Sequence, residues 1–304
     1  MKYTSDLLID AIKRNAGIPT SQKKFQNSDF LAFLNEELGL TVVGELVALN
    51  EDYFITTKDT ALVASTSRYA IPVTAIGWKL DSIGHVDSNG SYRKLDKITR
   101  SQRDMYDTSE SGTSPWAYYV EGNNIVTVPD MGSNVDGSLR FDIIEIQNEL
   151  VLSSSCGLIS SVTDLGSDYR LTVGSVPSTD DGVDIISGTN PFNIIAQGKS
   201  ATVSSPNVTV SQDDFSRAPV AGDYVAPYGQ TPIPNIPEDY HPILAQAATI
   251  RCLIAMNDNK GLQTANLSLS NMIERMRNRS KRRVNSSPTK IVPTSPILNL
   301  MRGW

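Results

Sequence analysis

Histidine and cysteine are scarce. The 304-residue chain holds only His85, His241, Cys156 and Cys252. Neither histidine belongs to an H-E-x-x-H sequence or sits near a cysteine at metal-ligand spacing, so nothing points to a zinc centre. His241, between Tyr240 and Pro242, reads as a structural residue at the start of a helix. The two cysteines lie far apart among apolar or small residues, which argues against a disulfide scaffold and fits a reducing compartment. G-x-S-x-G, Walker A and G-x-G-x-x-G sequences are missing. Without a convergent acid, base and nucleophile, the expectation is a non-enzymatic protein with no cofactor and no metal. Asp180, Asp181 and Asp184, and the pair Asp213 and Asp214, carry the oxygen ligands calcium takes, but solvated turn aspartates are the simpler reading.

Long apolar runs are missing too. No stretch approaches the roughly eighteen residues a membrane span requires, and the opening MKYTSDLLIDAIKRNAG carries acids where a signal peptide has an apolar core. The expected setting is the cytoplasm, with no membrane partner.

What is present is ordinary globular material, 39% hydrophobic and 20% charged, enough to bury a core as one body or two modest domains. The charge is unevenly placed. From Asn271 to Trp304 eight basic residues, Arg275, Arg277, Arg279, Lys281, Arg282, Arg283, Lys290 and Arg302, face only Glu274. That net +7 leaves −13 on the remainder of a chain whose total is −6. A basic end on an acidic body suits a polyanion, an acidic partner surface or a neighbouring copy. The run RMRNRSKRR could contact DNA phosphates non-specifically. No aromatic residue interleaves with it, so base stacking is not supported, and pairing with acids of a neighbouring subunit is the simpler use.

A short amphipathic helix is signalled by Thr4, Ser5 and Asp6 as caps, by Leu8, Ile9, Ala11 and Ile12 on one side, and by Gly17 and Pro19 as a stop. A second begins at Asn27-Ser28-Asp29 and runs weakly to about Glu51. From Tyr53 to about Leu152 the texture is that of strands, with hairpins at Asn89-Gly90 and at Gly122-Asn123-Asn124. Between them DKITRSQRDMYDTSE reads as a short polar helix or loop. Residues 153–234, rich in Ser, Thr, Gly, Val and Asp, read as an inserted all-β module with strands in YRLTVGSV, VDIISG, FNIIAQG and ATVSSPNVTVS. Its aromatics Tyr169, Phe192, Phe215, Tyr224 and Tyr228 are too scattered for a sugar platform; protein docking or a spacer role suits it better. Four prolines in TPIPNIPEDYHP close it. Ile243 to Met256, apolar nearly all round, predict a buried helix, and Leu262, Ala265, Leu269, Met272 and Met276 predict an antiparallel partner for it. The expected fold class is therefore α+β: a helical core with antiparallel strands and hairpins in 1–152, the module in 153–234, a helix pair in 235–283 and an extended tail in 284–304.

Particular residues resemble head-to-tail adaptor proteins of tailed phages. Tyr69-Ala70-Ile71-Pro72 followed by Ile76-Gly77-Trp78 looks like that family's extended segment ahead of a hydrophobic strand, and Tyr92-Arg93-Lys94-Leu95-Asp96 like its polar turn into a helix. Pro115-Trp116-Ala117-Tyr118-Tyr119, Gly122 and Ile125-Val126-Thr127-Val128-Pro129 are similar to its hairpin, and Tyr240-His241-Pro242-Ile243-Leu244-Ala245 to the opening of its last helix pair. The patterns cover about two thirds of the chain and the module at 153–234 departs from them. The resemblance implies a virion neck protein, made in the host cytoplasm, that forms a ring of about twelve copies between the portal and a tail or lower-neck protein. By the same likeness Ile291, Ile297, Leu298, Leu300, Met301 and Trp304 would dock on the portal. The alternatives are a tail-tube or stopper protein lower in the neck, and a DNA-binding accessory protein using Arg275 to Arg283.

Overall fold

The computed structural model describes residues 3–19, 24–49, 54–103, 112–179, 181–213 and 215–280. The fold is α+β, with its helices drawn from the two ends of the chain and its strands from the middle.

Helix α1 (Ser5–Asn15) buries Leu8, Ile9 and Ile12 and stops at Gly17, whose φ of +64° is the left-handed conformation that ends helices. Helix α2 (Asn27–Glu37) starts at a capping box in which the Gln26 N–H donates to Asp29 Oδ2 at 2.7 Å. The single helix expected to run to about Glu51 is broken. A π-helical turn occupies Leu38–Val42, where the Val43 N–H reaches Leu38 O, and α3 (Val43–Leu49) follows. The extra residue in that turn rotates the apolar positions. Leu38, Val42, Val43 and Leu46 face the core while Leu40 turns outward.

Helices α4 (His241–Met256) and α5 (Asn259–Ser280) close the helical body. Asn257, left-handed at φ +61°, ends α4, and Asp258 caps α5 by accepting from the Gly261 N–H at 3.0 Å. The pair is antiparallel, since Gln246 Nε2 donates to Ala265 O at 3.1 Å while Ile243 lies beside Met276 about three turns further on. Leu8, Ile12, Phe30, Leu34, Leu244, Ala248 and Cys252 form one core, so α1 and α2 pack on a helix more than 200 residues away.

Two four-stranded sheets share a second core. One is ordered β1 (Ile55–Ala61), β8 (Ser138–Glu145), β3 (Ala75–Val86), β4 (Tyr92–Lys94). The other is β2 (Arg68–Ala70), β7 (Asn124–Val128), β6 (Ala117–Glu121), β5 (Asp96–Lys97). Leu139, Phe141 and Ile143 of β8 alternate inward onto Ile71, Tyr118 and Ile125. Gly90, φ +81°, makes the expected hairpin between β3 and β4. The segment expected as a polar helix or loop begins instead as strand β5, followed by a 3-10 turn at Arg100–Gln102. Its residues 104–110 lie outside the described residues.

Residues 157–227 supply every strand of a seven-stranded sheet, ordered β13 (Ile194–Lys199), β12 (Val183–Ile186), β16 (Tyr224–Pro227), β10 (Gly157–Asp164), β11 (Asp168–Val173), β15 (Asn207–Ser211), β14 (Ala201–Ser204). At its base β9 (Glu149–Leu150) and β17 (Gln230–Thr231) pair in parallel, so the chain's departure into this sheet and its return lie side by side. Asn35 fastens that stem to α2: its Nδ2 donates to Leu150 O at 3.1 Å and its Oδ1 accepts from the Leu150 N–H at 2.7 Å.

Candidate interaction surface

Three of the six basic-patch residues, Arg275, Arg277 and Arg279, fall on the last turns of α5. Lys281, Arg282 and Arg283 lie outside the described residues, as do all six of Ile291, Ile297, Leu298, Leu300, Met301 and Trp304. Arg277 is committed within the chain. Its Nε and Nη2 donate to the two carboxylate oxygens of Glu45 on α3 at 2.9 and 2.6 Å, and this contact holds the guanidinium further above its already high pKa. Arg275 and Arg279 flank a groove of about 380 Å³. Tyr3, Pro242, Ile243, Met272 and Met276 give it an apolar lining, and Glu238 and Asp239 put carboxylates on the same rim. A groove with both signs of charge around thioether and aromatic walls suits an amphipathic segment of protein better than a uniformly anionic nucleic acid.

The chemically reactive side chains are used for structure. His241 is fully buried at the first turn of α4, with its ring 5.3 Å from Phe192 and 6.0 Å from Tyr3. Burial pushes its imidazole down to about 4, so it is neutral near neutral pH. His85 Nε2 lies 2.6 Å from the Asp136 carbonyl. Burial, reinforced by Asp6, pushes the Cys156 thiol up to about 12, and burial raises Cys252 as well; both therefore stay protonated and unreactive.

Two of the aspartates considered for calcium, Asp184 and Asp213, are engaged within the chain, and Asp181 is exposed. Asp184 is on strand β12, wholly buried, and accepts from Gly198 N–H at 2.7 Å, Gly229 N–H at 3.0 Å and Asn148 Nδ2 at 2.7 Å. Desolvation raises its pKa and these three donors oppose the shift. Asp213 accepts from the Ser211 hydroxyl at 2.8 Å. Asp180 and Asp214 lie outside the described residues, and among the described residues no group of three or more His, Cys, Asp or Glu could hold a metal ion.

A cleft of about 650 Å³ separates β1 from β13 and is bridged by Lys58, which lies 3.1 Å from Glu145 and 2.7 Å from Gln197. Amides and apolar side chains dominate its walls. Among the described residues no helix is long and apolar enough to cross a membrane.

The segment Ile76-Gly77-Trp78, expected in a regular hydrophobic strand, does not pair regularly. In the β3–β8 ladder Ala75 faces Glu145 and the next partner is Leu80 with Ile143, so residues 76–79 bulge out against a single residue. Gly77 and Trp78 are both left-handed, at φ +56° and +58°. Alternation in AIGWKL conceals this, and Gly77 is its only sequence signal. A scan against protein-family models and a search of curated proteins return no match for the chain.

Proposed function

We propose that the protein is a non-enzymatic virion subunit, a head-to-tail adaptor that assembles as a ring beneath the portal of a tailed phage and joins it to the tail. The observation that carries this reading is the arrangement at the end of α5. Helix α5, packed on α4 and tied to α3 through Arg277 and Glu45, carries Arg275 and Arg279 beside an amphipathic groove, and the sequence that follows Ser280 is rich in basic and apolar residues. The family resemblance in the Tyr69, Tyr92, Pro115 and Tyr240 segments points the same way, as does the absorption of the histidines, the cysteines and Asp184 into packing.

In this role the seven-stranded sheet enlarges the outer surface of the ring or receives a further neck protein. The arm burying Ile297, Leu298, Leu300, Met301 and Trp304 on the portal would gain roughly 1.5–3 kcal/mol per large side chain before ordering costs. Native mass spectrometry of the chain alone and mixed with the portal of the same particle tests the proposal. A ring that forms on the portal, and fails to form there when residues 285–304 are removed from a still-folded chain, is the expected result. Portal binding undiminished by the truncation sinks the docking arm, and indifference to the portal favours a stopper or tail-tube position lower in the neck. Strong, salt-sensitive retention on duplex DNA would instead favour the DNA-binding alternative.

A further inference from the structure

The groove beside Tyr3 lies where the last two turns of α5 meet the first turn of α4. Met272, Arg275, Met276 and Arg279 form its α5 wall, spaced three and four apart along one stripe of the helix. The stripe runs to within one residue of Ser280, so the chain that continues past α5 starts beside the groove. We infer that the occupant of this groove is that following segment, residues 284–300, folded back on its own subunit with Ile291 and Val292 over Met272 and Met276. The contact belongs to the isolated chain and stands whether or not a portal is the arm's final partner.

Length permits the reversal. Ile291 stands eleven residues beyond Ser280, at most about 36 Å of extended chain, while Met272 and Ser280 are about 12 Å apart along the helix axis. The chain can therefore turn back within a few residues and still run along the groove. Pro288, Pro293 and Pro296 deny the segment a helix of any length, which suits it to lie extended against α5.

Composition selects the same segment. Glu238 and Asp239 balance Arg275 and Arg279 around the rim, so the lining has no net charge, and a strongly charged occupant of either sign would meet as much repulsion as attraction. The seventeen residues from 284 to 300 hold one charge, Lys290, and six large aliphatic side chains. In this arrangement the basic triplet Lys281-Arg282-Arg283 makes the reversal in solvent, outside the groove. Thioethers such as those of Met272 and Met276 adapt to irregular apolar partners. Folded back, the arm keeps its aliphatic side chains out of water and away from other copies until a tighter partner takes them.

Disulfide exchange in the full chain tests the contact without a portal. Cysteines are placed as Arg275→Cys with Val292→Cys and, as a control at the same height of α5 but outside the groove lining, as Glu274→Cys with Val292→Cys. The native Cys156 and Cys252 are buried and do not interfere. In a glutathione buffer the effective concentration of the first pair is expected to exceed that of the control by about tenfold or more. Equal values would mean an arm with no preferred site and would overturn the inference, as would a cross-link that joins two chains instead of closing within one. A second readout needs no added cysteine. Ile291→Ser with Val292→Ser, which leaves every described core side chain untouched, should speed peroxide oxidation of Met272 about threefold or more. An unchanged rate overturns fold-back into this groove. Both readouts are taken on the isolated chain, so a protein that ignores the portal would sink the adaptor reading and leave the fold-back standing.

Discussion

Arg277 and Glu45, 232 positions apart, are joined by paired hydrogen bonds that fix the last turns of α5 against α3. The pair is half exposed on its arginine side, so its effect on global stability is small. Its effect on the direction of the helix end is not.

Glu45→Gln should leave the unfolding free energy nearly unchanged and yet speed amide exchange in the last two turns of α5. Hydrogen exchange resolved along the helix reads both. Unchanged protection there would mean that Met276 packing alone holds the end.

Asp184→Asn replaces a carboxylate that accepts from three donors by an amide that must turn its NH2 towards at least one of them. The expected cost is about 1–3 kcal/mol, measured by urea unfolding. Because Asn148, Gly198 and Gly229 come from both the stem and the seven-stranded sheet, the loss should appear as looser attachment of that sheet. Faster proteolysis near the stem is the second readout.

His241 gives the fold a pH dependence of known sign. Its folded-state pKa is about 4 against an ordinary 6.5, so between those values the unfolded chain binds a proton that the native one refuses. Stability from this residue is complete above about pH 6.5 and declines as the pH falls towards 4, by about 3 kcal/mol in all. His241→Phe, which keeps an aromatic ring against Phe192 and Tyr3, should flatten the slope across that window. An unaltered slope would assign the dependence to other groups.

Gly137 and Gly90 both have positive φ, yet their substitutions should differ. A Cβ on Gly137 would lie 1.9 Å from the Val86 carbonyl oxygen, whereas one on Gly90 meets nothing within 4 Å. Gly90→Ala should cost about 1 kcal/mol, the backbone conformation alone. Gly137→Ala should cost about 2–4 kcal/mol, since strand β8 must shift. Equal thermal shifts would show that the β3–β8 end relaxes freely.

Local chemistry made much of this fold readable. Asn89-Gly90 announced its hairpin through the one residue able to adopt the turn, and in the seven-stranded sheet turn residues separated the β-branched runs of β11, β12, β13, β14 and β15. Strand β16 escaped because it is four residues buried on both faces and shows no alternation. Strands β9 and β17, two residues each, pair with one another across some eighty residues of chain, and Asn35 holds β9, so neither carries a local pattern of its own. The π turn was hidden in an apolar run with glycines at 39 and 44, where one extra residue changes the facing of Leu40 without changing composition. Asp184 read as a solvated turn aspartate because aspartates cluster around it. Its place on a buried strand depends on donors from distant segments. Of the interaction surface, Arg275, Arg277 and Arg279 were legible as a basic helix end; the partner that claims Arg277 was not, since nothing local links it to Glu45.

The parallel pairing of β9 with β17 has a topological consequence. The chain comes back to the helical body travelling in the direction in which it left, displaced by one strand width, about 4.8 Å. Residues 151–229 are thus a lane change in the main path. Splicing them out would ask the remaining chain to bridge a single lateral step, with no rethreading of α1, α2 or α4, so the body can gain, lose or exchange this sheet as a cassette while its own connectivity stays the same.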